Sequence, residues 1–291
     1  MSSLKIRINA KFLVLALFSL IISVIASNAV FSHGNEPDLH DMESKEMQSN
    51  NISEYIQSTS VSYILTALFI AGILVLFSLL HRQKTEKMKI FLFFGIAIPI
   101  VAATFYLAAS TIYLNQISET KGPVHWHADY EIYVCNKKIE LLKPKGFSNS
   151  VGIPLFHEHD DNRIHVEGVV TNIKDVSLHN FFEAVNGYLE EDKMGIPTDY
   201  GFEEAKNSEL CGEKSGKLQV FLYKIRNPKD AKSWIYEQIK LGDFENYVLA
   251  PYSQVPPGDC IIIEFGEDKE KTENMCSTYK AAIERGELNG D

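Results

Sequence analysis

The sequence predicts an α+β protein: transmembrane helices followed by a small exported domain with a mixed sheet, of a β-grasp-like kind. Three observations carry this reading. Runs without Lys, Arg, Asp, Glu or His occupy residues 12–32, 55–80 and 90–118, and about 20 apolar residues make a helix that crosses the hydrocarbon core. All four cysteines, Cys135, Cys211, Cys260 and Cys276, follow the last run, as expected of a domain that folds in an oxidising compartment. Beyond Ser118 the pattern changes to short β-rich runs punctuated by turn residues, with one helical periodicity among them. A purely cytosolic protein is excluded.

Residues 1–31 read as a signal peptide or a first transmembrane helix, both of which give the same topology. Residues 32–60 read as an acidic extracytoplasmic loop, 61–80 and 90–114 as transmembrane helices, and 81–89 as a basic cytoplasmic loop. Lys5, Arg7 and Lys11 precede the first run, and Arg82, Lys84, Lys87 and Lys89 separate the second from the third. The positive-inside rule therefore keeps both segments inside and places residues 120–291, a His-rich domain, outside. Within the loop, His33, His40, Met42 and Met47 read as solvated linker residues; cleavage after Ser32 would instead leave His33 as an amino-terminal copper ligand. Asn51-Ile52-Ser53 is a glycosylation sequon. The spans carry no charge, against a transporter or proton path. Ala102, Ala103, Ala108, Ala109 and Ser110 would allow close helix packing in a membrane complex, so subunits of such a complex join the lipid membrane as expected partners.

In the exported domain, Glu131 to Cys135 and Ile139 to Leu142 read as a hairpin across Asn136-Lys137-Lys138. Arg163 to Thr171 reads as a strand with Ile164 and Val166 on its apolar face. Ser177 caps a helix running through Val185, with Leu178, Phe181, Phe182 and Val185 at helical spacing and Asn186-Gly187 as its stop. Residues 186–216 form a loop or insertion. Leu218 to Ile225 and Cys260 to Phe265 are strands, the second entered through Pro256-Pro257-Gly258-Asp259. Asp230 to Leu241 and Thr272 to Arg285 read as helices. An even cysteine count predicts two disulfides, with three pairings open.

Charge excludes one class of partner. The net charge of -10 divides into +1 over residues 1–114 and -11 over 115–291, and so acidic a domain is a poor binder of nucleic acid.

Histidine placement is the most informative feature. Five of the nine histidines, His125, His127, His157, His159 and His165, fall within 41 residues. In a strand alternate side chains share a face, so each His-x-His pair projects two imidazoles the same way, as does His165 with Glu167. By the same parity His157, His159, Asp161, Arg163, His165 and Glu167 share a face, unless a turn at Asp160-Asp161-Asn162 interrupts the run. Imidazole and carboxylate suit zinc, copper or non-haem iron. The competing reading is that these imidazoles only satisfy surface hydrogen bonds; two His-x-His pairs beside a His-x-Glu favour a metal. The expected site takes its ligands from His125, His127, His157, His159, His165 and Glu167 and holds one divalent metal, copper or zinc. His179 reads as a surface residue, and Trp126 as a packing or membrane-interface aromatic.

The succession His125-x-His127, His157-x-His159-Asp160, Ile164-His165-Val166-Glu167 and Leu178-His179-Asn180-Phe181-Phe182-Glu183 resembles that of uncharacterised membrane-anchored, His-rich extracytoplasmic domains of ammonia-oxidising archaea, over residues 122–266. The resemblance implies an exported domain with a metal site and implies no reaction. His125-x-His127-x-x-x-Glu131 also looks like the first metal motif of cupins, which would imply a metal-dependent oxygenase or hydrolase. The chain departs from that pattern at Lys138, where a glycine is expected, and lacks a downstream Pro-Gly-His. No Gly-x-Ser-x-Gly, phosphate-binding loop, dinucleotide fingerprint or Cys-x-x-Cys supports another chemistry.

Overall fold

A computed structural model describes residues 46–290 apart from 82–84, 146–148, 231–232, 250–253 and 257. The first apolar run, loop residues 32–45 with His33, His40 and Met42, and Arg82 and Lys84 lie outside the described residues. The chain divides into two compact units between Tyr113 and Leu114.

The first unit is a pair of helices, α1 (Glu46–Leu80) and α2 (Glu86–Ile117). Both are long and apolar enough to cross a membrane. Helix α1 begins inside the segment read as loop 32–60, so the last part of that segment is helical. Leu68, Phe69, Phe91, Phe93 and Phe105 are exposed, the disposition hydrocarbon solvent would accept. The helices meet through small residues: Ala67 and Ala103 are buried, and a Cβ on Gly95 would come within 2.7 Å of Leu74 Cδ1. Tyr63 and Tyr106 meet across the same contact, their rings tilted by 35° with centroids 4.7 Å apart. Thr66, Thr104 and Thr111 donate to carbonyls four residues back, which satisfies hydroxyls that lipid could not.

The second unit is built on one mixed nine-stranded sheet. Its strands are β1 (Pro123–Val134), β2 (Lys137–Ile139), β3 (Val151–Ile153), β4 (Phe156–Glu158), β5 (Arg163–Val169), β11 (Lys217–Ile225), β12 (Trp234–Leu241), β13 (Asp259–Gly266) and β14 (Leu288–Gly290). The order is β14-β12-β11-β13-β1-β5-β4-β3, with β2 paired to the end of β1. β1 lies parallel to β13 on one side and antiparallel to β5 on the other. It turns into β2 at Cys135 and Asn136, both at positive φ, the conformation of a tight two-residue hairpin turn.

Helix α3 (Leu178–Ala184) covers one face, capped by Ser177, whose hydroxyl accepts from the Asn180 N–H. Leu178, Phe181 and Phe182 are fully buried over Ala128, Ile164, Val166, Phe156, Val220 and Ile263. Tyr130 and Phe156 meet Phe181 edge-on, centroids 5.3 and 5.5 Å away. Trp126 is partly buried against this core, a packing aromatic. Helix α4 (Ser277–Glu284) covers part of the opposite face, where Tyr279 and Ala282 bury Phe221, Tyr223, Cys260 and Ile262.

Both disulfides form, as Cys135–Cys211 and Cys260–Cys276. The first ties the end of β1 to residues 186–216. That stretch is a meander of β6 (Tyr188–Leu189), β7 (Lys193–Thr198) and β8 (Gly201–Lys206), followed by the small hairpin β9 (Leu210–Cys211) and β10 (Lys214–Ser215).

Two helix expectations are corrected. The described residues between Asp230 and Leu241 form no helix; Trp234–Leu241 is strand β12, between β11 and β14. Its aromatic and β-branched residues suit a pleated surface, and pairing with the largely buried β11 outweighs the helix-forming Glu237, Gln238 and Lys240. The terminal helix starts at Ser277 rather than Thr272, because residues 272–274 are bonded to the sheet: the Thr272 N–H donates to Gln238 Oε1 at 3.1 Å and Asn274 Nδ2 to Glu264 Oε1 at 2.7 Å. The second hairpin strand also lies earlier than expected: the turn is Cys135-Asn136, so Lys137 and Lys138 belong to the strand, which ends at Ile139 rather than Leu142.

Candidate metal centre

The site grows from the part of the α4 face formed by β1, β5 and β4. Register sets His127 opposite His165 and His125 opposite Glu167, while His165 also lies opposite His157. Directly opposed residues have Cβ atoms about 5 Å apart, so three neighbouring strands put three imidazoles in one row. The neighbouring Ala128, Ile164, Val166 and Phe156 point the other way and are buried under α3.

The turn between β4 and β5 adds His159. Asp160 and Asn162 are at positive φ, and the buried carboxylate of Glu158 accepts the N–H groups of Asp161 and Asn162 at 2.7 and 3.0 Å. Burial raises the Glu158 pKa against those backbone donors. The turn interrupts the run of alternate residues, yet the antiparallel return restores His165 to the face of His157. Gly152 lets β3 pass beside His157: its φ is +121°, and a Cβ there would lie 2.9 Å from His157 Cα.

Two trios of ring nitrogens each close to within 4.8 Å, His125–His127–His165 and His157–His159–His165. The Nε2 atoms of His125 and His127 are 2.9 Å apart. Two nitrogens bound to one ion at 2.0–2.1 Å stand about 2.9–3.4 Å apart when adjacent, so the two rings already converge as ligands would. Nδ1 of His157 lies 3.3 Å from the Ile153 carbonyl oxygen, and Nδ1 of His159 bonds the Asn149 carbonyl. A backbone carbonyl that takes the Nδ1 proton leaves Nε2 as the lone-pair nitrogen, the arrangement of metal-ligating histidines.

His165 sits at the centre and is buried. Its Nε2 is 3.3 Å from Asp161 Oδ2, whereas Nδ1 is buried without a hydrogen-bond partner, 3.8 Å from Glu167 Oε1. Burial pushes its pKa down to about 4, against the pull of Asp161, which keeps the ring neutral at pH 7, the form that ligates. Glu167 reaches between the trios, Oε1 3.0 Å from His125 Nε2 and Oε2 4.0 Å from His157 Nε2. The patch opens on the His125 side, where the side chain is 59% exposed.

Of the six residues named as ligands, the structure thus gathers all six, the five histidines as trios and Glu167 between them. Glu131, which a cupin-like motif would add, is not with them: it binds Lys138 Nζ at 3.2 Å and accepts from the Tyr133 hydroxyl. His179 stands apart, with Nδ1 2.7 Å from the Leu189 carbonyl oxygen and Nε2 3.3 Å from Glu183. The boundary with the α4 half is Asp129, held by Arg163 Nε at 3.1 Å and by the Thr278 hydroxyl. Burial raises its pKa to about 7 in spite of that guanidinium. The carbonyls of Asn149 and Ile153 and the Thr278 hydroxyl have no sequence signal, because they reach the site from residues that no motif connects to it.

Set against known protein families, curated proteins and solved structures, the chain matches none of them.

Proposed function

We propose that the chain is a membrane-anchored extracytoplasmic protein that binds a transition metal, copper or zinc, through the histidines on β1, β4 and β5, for handling, sensing or structure. The observation that carries this is the pair of histidine trios, each with ring nitrogens within 4.8 Å, whose members include a buried, unpartnered Nδ1. Surface histidines that merely satisfy hydrogen bonds do not leave a buried nitrogen facing their neighbours. The resemblance to His-rich archaeal exported domains belongs to the same reading: three of its motifs, those with His125 and His127, His157 and His159, and His165, meet in the two trios, while the one with His179 does not. A β-grasp-like arrangement is supported by the spatial order β5-β1-β13-β11-β12, with parallel β1 and β13 at its centre and α3 on one face. The exported position is supported by two disulfides and by the charge asymmetry around the apolar helices.

The metal reading is tested on the full chain purified in detergent, by elemental analysis after incubation with zinc or copper and removal of free ions. Retained metal that falls on replacing His125 and His127 together by Ala is expected. A wild-type chain that stays metal-free with both ions rejects the reading. For the topology, protease added to right-side-out vesicles should digest the domain 120–291, and its full protection would reverse the proposed orientation.

A further inference from the structure

We infer that the cluster holds two metal ions, one in each trio, with the His165 imidazole shared between them through its two ring nitrogens. This rests on the metal-binding reading and goes beyond the single ion that the sequence leads one to expect.

The sheet supplies the first reason. β1 and β4 flank β5, and the ring nitrogens of the five histidines close to within 4.8 Å as two groups rather than one, neither group joining β1 to β4. Ligands on one ion at 2.0–2.1 Å cannot be farther apart than about 4.2 Å even when diametrically opposed. His165 is the one residue common to both groups that close to within 4.8 Å. Its ring therefore stands between two converging sets of donors.

The second reason is the direction of its nitrogens. Nδ1 faces Glu167, whose Oε1 lies 3.0 Å from His125 Nε2, so this nitrogen looks toward the β1 trio. Nε2 faces Asp161 in the β4–β5 turn, which also carries His159, its ring centroid 4.8 Å from that of His165. His157 and His159 keep Nε2 for the second ion because backbone carbonyls take their Nδ1 sides. Two carboxylates are at hand for further coordination positions and charge balance, Glu167 between the trios and Asp161 on the Nε2 side of His165. When His165 ligates through both nitrogens, the proton of its remaining N–H passes to solvent as the second ion binds, the usual release on metal ligation.

The test uses the full chain in detergent. Zinc titration followed by calorimetry, and elemental analysis after desalting, should give two ions per chain. His125→Ala with His127→Ala should leave one, and His157→Gln with His159→Ala should also leave one. Because His157 is buried, His159→Ala alone serves if the second pair does not fold. With copper(II), electron paramagnetic resonance should show less signal than bound copper in the wild type, since an imidazole bridge couples the two spins, and full signal in either pair variant. One ion per chain, lost in both variants, means a single centre and overturns the inference while the metal-binding reading stands. Two ions whose signal accounts for all the copper mean separate sites and overturn the sharing of His165. No ion in the wild type fails the earlier reading itself.

Discussion

The α4 face of the sheet has two halves that meet at strand β1, one sealed by a helix over apolar side chains and one carrying histidines. Over β11 and β13, Phe221, Tyr223 and Ile262 are sealed beneath Tyr279 and Ala282, and the Cys260–Cys276 disulfide pins the start of α4 to the sheet. Over β1, β5 and β4 the same pleat offers His127, His165 and His157; His165 and His157 are buried, but no helix among the described residues seals the row and it opens toward His125, which is 59% exposed. Asp129, between Arg163 and Thr278, is the seam. The difference teaches where the strands under the histidines get their rigidity. Ala128, Ile164, Val166 and Phe156 fix them from behind, against α3, so the outward positions are free to carry donors rather than apolar packing.

The largest expected effect tests that division of labour. Phe181 is fully buried between Tyr130 and Phe156, and Phe181→Ala should cost about 3–5 kcal/mol. His125→Ala, at an exposed position, should change the stability of the metal-free chain by no more than about 0.5 kcal/mol. Both tryptophans, Trp126 and Trp234, lie in the domain, so urea titration followed by their fluorescence reads its unfolding without the helical hairpin. Comparable losses in the two variants would show that the histidine half is itself structural, and the comparison would break.

A smaller effect sharpens it from the covered half. Replacing Cys260 and Cys276 by Ala opens a loop of sequence separation 16, and closing a loop of that size stabilises by about 3 kcal/mol. Stability should fall by up to that amount as α4 loses its tether, while retained metal per chain stays at the wild-type value. Metal loss in this variant, with the domain still folded, would mean that α4 holds the centre in shape through Thr278 and Asp129.

Much of this contrast is written in the sequence, and the unwritten part has identifiable causes. The apolar runs at 218–225 and 260–265, the Ser177 cap and the alternation of Ile164 with His165 each specify local structure, because their signals lie within a few residues. Which strands become neighbours is not local. The parity of His125 and His127 places them on one face, but only the register of β1 on β5, and of β4 on β5, sets them beside His165 and His157. Residues 234–241 illustrate the opposite failure: Glu237, Gln238 and Lys240 suit a helix, and pairing with β11 on one side and β14 on the other decides for a strand. Glu131 shows the limit of parity, since sharing a face with His125 and His127 does not bring it to them when Lys138 and Tyr133 claim its carboxylate.

A loss smaller than that of the disulfide is expected from the histidine on the other side of the sheet. His179 opens α3, and its environment is complete: Nδ1 is 2.7 Å from the Leu189 carbonyl oxygen and Nε2 3.3 Å from Glu183. A neutral hydrogen bond contributes about 0.5–1.5 kcal/mol net, and the partly exposed contact to Glu183 adds at most about 0.5 kcal/mol. His179→Ala should therefore lower stability by about 1 kcal/mol in the urea titration and leave metal content unchanged. The contrast with His165 is one of partners rather than residue type: the His179 nitrogens are met by a carbonyl and a carboxylate, while Nδ1 of His165 faces other potential ligands with no hydrogen-bond partner. Metal lost from a folded His179→Ala chain would place a ligand on the α3 face and remove the reason for assigning the centre to β1, β4 and β5.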